Sequence, residues 1–343
     1  MTGERLRELL AGFAEVKIAV VGDYFLDRYL FIDPALTEPS IETGLDAWQV
    51  VGKRPQPGAA GTVTSNLAAL EVGEVQAVGF IGDDGEGYEM RQGLAVTGVD
   101  CTHLLADAAV VTPTYCKPMR RDANGSETEM NRFDSRNREA TSDELQDAMI
   151  GQLRACLPEM DGIIVADQED APERGVITDR VVDELARLAE EHPDNIFLAD
   201  SRGDISRFRG LIIKPNNHEA CRAAGIEVDG EPTVEQSAEA GRLLFERSGE
   251  PVYVTLGRDG MMLFDEAGAT HLPGVPVEGD IDIVGAGDSV TAGIVSALCA
   301  GATHVEAGLI GNLVASITIQ QIGATGVATP EQVLARHAEV SQM

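Results

Sequence analysis

Short apolar runs of strand length alternate with helical periodicity along most of the chain. Residues 17–22, 75–81, 162–166, 195–199, 211–214, 251–256 and 261–264 read as buried strands. Between them, 63–70, 142–157, 178–191 and 234–247 repeat their apolar positions at helical spacing. This alternation predicts βαβ units and an α/β fold, with a mostly parallel central sheet flanked by helices on both faces. The N-terminus places Glu4, Arg5, Arg7 and Glu8 among Leu6, Leu9, Leu10 and Phe13. That pattern predicts an amphipathic helix rather than a secretory signal.

Two segments break the alternation, at about 29–54 and 111–134. Both are extended, carry Pro34, Pro39, Pro113 and Pro118, and lack a helical period. In the second, Thr114, Cys116 and Met119 lead to a polar turn at Asp122, Ala123, Asn124 and Gly125, as in a hairpin. The expectation is one domain over 1–343 with a small β-sheet lid inserted. An exposed lid sheet could pair across a two-fold axis, so a homodimer through the lid is expected.

Ligands of parallel sheets bind beyond the C-terminal strand ends. Polar residues stand at those ends: Asp23, Asp27, Asp83, Asp167, Asp200, Asn216 and Thr255. Each has a simpler reading as a helix cap.

Composition narrows the ligands. The chain has 343 residues and a formal charge of −31, a field that repels nucleic acid and anionic membranes. No nucleic-acid or membrane partner is expected. Cys101, Cys116, Cys156, Cys221 and Cys299 are dispersed, which predicts reduced thiols and a cytoplasmic setting. Lysine occurs only at Lys17, Lys53, Lys117 and Lys214, and no G-x-x-x-x-G-K-[ST] is present, so a P-loop is excluded.

The most informative stretch is 282–288, Asp-Ile-Val-Gly-Ala-Gly-Asp. It reads as the passage from an apolar strand into a small-residue helix, with Val290, Ile294, Ala297 and Leu298 on one face. Gly285, Ala286 and Gly287 would offer amides at the helix start to a phosphate. Asp288, in the first turn, would repel that phosphate. It makes sense as a base for an attacking hydroxyl, which points to phosphoryl transfer to an alcohol. A plain glycine turn with a first-turn Asp is the competing reading.

Other motifs carry two readings each. Lys214, Asn216 and Glu219 follow a strand, where Asn216 and Glu219 suit a nucleotide phosphate and hydrated Mg²⁺, or form a capping box. Thr255, Gly257 and Gly260 make a hairpin loop or a phosphate-binding loop. Gly58, Ala59 and Thr62 open a helix of small residues that admits a ligand or packs closely on the sheet. Asp23 and Asp27 hold sugar hydroxyls, or act as caps and surface ion pairs.

With these residues the chain resembles the PfkB/ribokinase family of sugar kinases over nearly its full length. The 282–288 stretch looks like that family's D-x-x-G-A-G-D motif, Gly58 with its neighbours its di-glycine motif, Pro215, Asn216 and Glu219 its P-N-x-x-E motif, and Thr255, Gly257 and Gly260 its T-x-G-x-x-G loop. Within the family, 20–29, 199–203 and 208–210, with Lys117 and 132–134 on the lid strands, are similar to the heptose-phosphate kinase domain, and no counterpart of the nucleotidyltransferase domain often fused to that kinase is expected here. The resemblance implies a ribokinase-like fold and ATP-dependent transfer of the γ-phosphate to a sugar or sugar phosphate. It implies Asp288 as the base, with Gly285, Ala286 and Gly287 as the anion hole. Asp27, Gly58, Ala59 and Thr62 would meet the sugar, with Lys117 and Arg132 on the lid as ligands of a substrate phosphate. Lys214, Asn216, Glu219, Thr255, Gly257, Gly260 and Asn312 would serve ATP. Glu219 would hold Mg²⁺ through water, and Asp282 with the loop near Gly323 a monovalent cation such as K⁺. Two departures touch the sugar: Ala59 replaces the second glycine, and Thr62 stands where the family usually has Asn. A nucleoside kinase of the same fold would want an aromatic platform that a chain with 4% aromatics does not supply near Asp27. A non-catalytic sugar- or nucleotide-sensing protein would need no Asp288.

Overall fold

The computed structural model describes residues 1–122, 125–171, 173–323 and 325–341. Ala123 and Asn124 of the expected lid turn lie outside the described residues.

The β-branched runs assemble into a nine-stranded sheet among the described residues. Its order is Gly268–Leu272, Met261–Asp265, Val252–Thr255, Ile212–Ile213, Ile196–Ser201, Gly162–Asp167, Lys17–Gly22, Glu74–Gly82 and Leu104–Asp107. Neighbours are parallel from Val252–Thr255 onward; the Met261–Asp265 and Gly268–Leu272 strands add antiparallel at the other edge. Alternate residues serve opposite faces. Ile18, Val20, Ile164 and Leu198 pack against Leu67, Ile294 and Ile310 on one side. Ala19, Val21, Ile163 and Val165 pack against Leu153, Leu185 and Leu244 on the other. Both faces are thus dry, which is why these strands read as continuous apolar runs.

The second sheet is built from Tyr24–Ile32, Val50–Ala59, Thr114–Arg121, Phe133–Ser135 and Glu127–Glu129. The first lid strand begins at Tyr24 rather than near residue 29, and its partner runs on to Ala59 rather than ending near residue 54. Asp27 and Gly58 therefore belong to the lid sheet itself. Only Asp23 separates the first core strand from the first lid strand. Its carboxylate accepts the Gln168, Glu169 and Val176 N–H groups at 2.9, 2.9 and 2.7 Å. The Asp23 carbonyl accepts the Ala60 N–H at 2.9 Å, tying the junction to the helix Ala60–Ala69.

One expectation fails. No strand precedes Gly285: residues 273–285 form an irregular loop, with Ile283 71% and Val284 66% exposed. The apolar pair mimics a strand in the sequence but borders no sheet edge. Among the described residues, no helix is long and apolar enough to cross a membrane.

Candidate functional site

Gly285 caps the helix Ala286–Cys299 with φ +79°, a left-handed turn that costs glycine little. A Cβ there would also collide with Thr325 Cγ2 and stand 3.3 Å from Thr62 Cγ2. Two distant segments thus close on this turn. The Ala286 N–H already donates to the Ile283 carbonyl at 3.1 Å. The amides of Gly287 and Asp288 remain at the open first turn, where the helix dipole favours an anion. Gly287 is exposed.

Asp288 is 8% exposed behind that turn. Burial pushes its pKa up to about 7, Asp200 adds to the rise, and Arg202 and Lys214 oppose it. Lys214 is 3% exposed, and its Nζ lies 2.9 Å from Asp200 Oδ2. Burial alone would lower the Lys214 pKa, but Asp200 outweighs it and holds the ammonium charged. Thr291 Oγ1 donates to the same Asp200 oxygen at 3.1 Å. A Cβ on Gly287 would stand 3.7 Å from Lys214 Nζ, so this buried charge sits directly under the anion turn. An open amide turn over a fixed ammonium fits a phosphate chain, and a buried carboxylate of raised pKa fits a proton acceptor.

On the lid side, Asp27 and Gly58 touch: a Cβ on Gly58 would stand 2.8 Å from Asp27 Oδ2. Lys117 Nζ pairs with Asp27 Oδ1 at 2.7 Å. Arg132 pairs with Asp134 at 2.7 Å and stacks on Tyr115, 4.2 Å from its ring centre. Both expected phosphate ligands are therefore engaged with carboxylates. Ala59 adopts φ +54° and ψ −120°, a region that a Cβ strains and a glycine does not. Thr62 is buried, with its methyl against the Gly285 turn.

On the nucleotide side, the capping box is present: the Asn216 side chain accepts from Glu219 N, and Glu219 Oε2 accepts from Asn216 N, each at 2.8 Å. Burial and then Asp200 raise the Glu219 pKa. Thr255 bridges to Asn216, and its N–H donates to the Pro215 carbonyl at 3.0 Å. Gly260, at φ +88°, brings the Thr255 loop onto Leu272 and Gly274, where a Cβ would strike backbone. Asn312 donates to the Leu272 and Pro273 carbonyls at 3.2 and 3.1 Å, closing this group. Asp282 accepts from Val284 N at 3.1 Å and Gly323 N at 3.2 Å. Among the described residues no cluster of three or more His, Cys, Asp or Glu is arranged to hold a metal ion. Glu219 as a water-mediated ligand accords with that, since Mg²⁺ keeps much of its hydration shell.

The fold thus joins the expected acceptor residues to Gly285 through Thr62, and the expected nucleotide residues to Asp288 through Lys214. Asp200, Thr291, Gln56 and Thr325 carry no expected role, although Gln56 Nε2 donates to Thr325 Oγ1 beside the Gly285 turn at 2.6 Å. Asp200 stands out as a strand-end acid within one of the stretches that carry the family resemblance. The other three lie at positions with no local signal.

Comparison with known proteins gives three results. The model of the family described as "pfkB family carbohydrate kinase" matches residues 32–332. The bifunctional protein HldE of Desulfatibacillum aliphaticivorans is 28% identical over 321 residues, 93% of this chain and 63% of that protein. The bifunctional protein HldE of Pelobacter propionicus is 30% identical over 317 residues, 91% of this chain and 61% of that protein. The chain spans less than two thirds of the length of these relatives. Among solved structures, phosphofructokinase-2 from Escherichia coli, in complex with substrates and products, superposes with a TM-score of 0.70 at 17% identity, covering 95% of this chain and 99% of that one. Ribokinase from Arabidopsis thaliana, complexed with ribose and ATP, gives 0.67 at 20% identity, covering 94% and 98%. The fold is ribokinase-like.

Proposed function

The chain belongs to the pfkB family of carbohydrate kinases, and from that premise we propose that it moves the γ-phosphate of ATP to a hydroxyl of a sugar or sugar phosphate, with Asp288 as the base. The observation that carries this reading is the buried Asp288 carboxylate, of pKa about 7, behind an open amide turn underlain by Lys214. The acceptor binds against Asp27 and Gly58, under the lid. Asp288 takes the hydroxyl proton as its oxygen bonds to the γ-phosphorus, and the bond from that phosphorus to the β-bridging oxygen breaks to release ADP. The Gly287 amide and Lys214 offset charge on the transferring group. Mg²⁺, held by Glu219 through water, would neutralise phosphate charge when bound. Asp282 with the 319–323 loop would hold K⁺.

The relatives named HldE and the likeness of 20–29 to a heptose-phosphate kinase domain make a heptose phosphate the first acceptor to try. Its phosphate would exchange with Asp27 for Lys117, or with Asp134 for Arg132. The test is ADP release with Mg²⁺-ATP against heptose 7-phosphate, other sugar phosphates, free sugars and nucleosides. We expect turnover with a sugar phosphate that drops about 10³-fold in Asp288→Asn while ATP affinity stays within about threefold. Near-normal turnover in that variant would sink the mechanism. Turnover with nucleosides alone would favour a nucleoside kinase, and ligand binding without turnover a sensing protein.

A further inference from the structure

The lid strand Val50–Ala59 pairs with the strand that carries Asp27 and also meets the loop beside the Gly285 turn. Asp27 and Gln56 are direct partners across the two lid strands, so their side chains share a face. From that face Gln56 Nε2 donates to Thr325 Oγ1 at 2.6 Å. Arg54, on the same face, donates through Nη2 to the Gly323 carbonyl at 3.2 Å. The other side of this loop touches the catalytic segment. The Gly323 N–H donates to Asp282 Oδ2 at 3.2 Å, and the Asp282 N–H donates to the Ile319 carbonyl at 2.8 Å. The Thr325 methyl fills the space a Gly285 side chain would need. A continuous path of contacts therefore runs from the strand paired with Asp27, through Thr325, to Gly285.

We propose that Gln56 and Thr325 form a latch that fixes the Gly285 turn relative to the acceptor-binding face of the lid sheet. Both are positioning residues; neither reaches the reacting atoms. The Gln56 side chain sets where Thr325 sits, and the Thr325 methyl sets where the Gly285 turn can go. Transfer depends on that spacing, because a displacement of about 1 Å between acceptor and anion hole costs roughly 100-fold in rate. The latch adds to the links between the two halves of the site at Thr62 and at Arg54. Its effect on turnover rests on the kinase reading; its effect on the order of the turn does not.

Two measurements separate these. The first is amide exchange on the full chain without ligand, read at Asp282, Ala286 and Ser289, whose N–H groups are bonded within this segment. Thr325→Val keeps the shape and removes the acceptor, and Gln56→Leu removes the donor. Each should speed exchange there about tenfold or more, with the core strands unchanged. Thr325→Ser keeps the hydroxyl and should restore wild-type protection in part, the remainder reporting the methyl. The double variant Gln56→Leu/Thr325→Val should exchange no faster than either single one. Wild-type protection in both single variants, with melting temperatures unchanged, overturns the latch. So does faster exchange spread evenly over the core. The second measurement is turnover with Mg²⁺-ATP and heptose 7-phosphate, where kcat should fall about 10–100-fold and acceptor KM stay within about threefold. Faster local exchange in variants of a chain that turns over no acceptor would uphold the latch and reject the kinase reading.

Discussion

At Asp288 two roles compete for one carboxylate. A base must be ionised, yet burial and Asp200 hold its pKa at about 7. Below that value the neutral form dominates, so kcat/KM should fall about tenfold per pH unit in acid and level off above pH 8. A rate profile flat from pH 5 to 8 would remove Asp288 as the base. Stability runs the other way. The folded pKa lies above the ordinary 3.8, so the fold favours the protonated group. That contribution is fully present below about pH 4 and is lost as pH rises through 7. Asp288→Asn should therefore raise the melting temperature at pH 8, by on the order of 5 °C, and leave it unchanged at pH 4. Ala59 makes a second prediction. Its φ of +54° stores strain that Ala59→Gly releases, against the entropy that glycine costs. The expected gain is about 1 kcal/mol, read from the denaturant midpoint; a loss would mean the Cβ contributes packing that outweighs the strain. The candidate Gly285–Asp288 turn was legible because its residues are contiguous. Gln56 and Thr325 were not, since their meeting depends on a strand pairing and a loop 269 residues apart.

Single elements explain what the pattern of the chain could and could not convey. The central strands were legible because both faces are buried and their apolar runs are unbroken. The edge strands Leu104–Asp107 and Gly268–Leu272 were not: they are short, partly exposed, and mix Asp, Thr and His into the run. The false strand before Gly285 shows the converse, since Ile283 and Val284 are apolar without being covered. The short strand Ile212–Ile213 ends at Lys214, which the fold buries against Asp200. Removing one member of such a pair leaves a buried unpaired charge, so Lys214→Met should cost about 3 kcal/mol. Adding Asp200→Leu to that variant should recover most of the loss. If the double variant is less stable than Lys214→Met alone, Asp200 holds more of the strand end than its ion pair.

For the molecule as a whole, the lid sheet has two unlike faces. The inner one carries Asp27, Gln56 and Lys117. The outer one carries Leu30, Ile32, Trp48, Val50, Pro118, Met130 and Phe133 around an apolar cavity of about 600 Å³. Trp48 is 41% and Phe133 67% exposed. A second copy of the chain, packed lid to lid, is our proposal for what covers this face. Sedimentation should then give a dimer that Phe133→Asp converts to monomer, with the fold unchanged; a wild-type monomer at micromolar concentration rejects it.

The Asp23 junction also sets an order of events during synthesis. The carboxylate that pins the first lid strand to the core finds its three amide partners 145, 146 and 153 residues later. At ribosomal speeds those partners emerge roughly 7–30 s after Asp23 itself. For that interval the lid strands and the glycine-rich helix start have left the ribosome without the pivot that orients them. The segments that carry Asp27 and Gly58 are therefore made well before the contacts that hold them against the core can form.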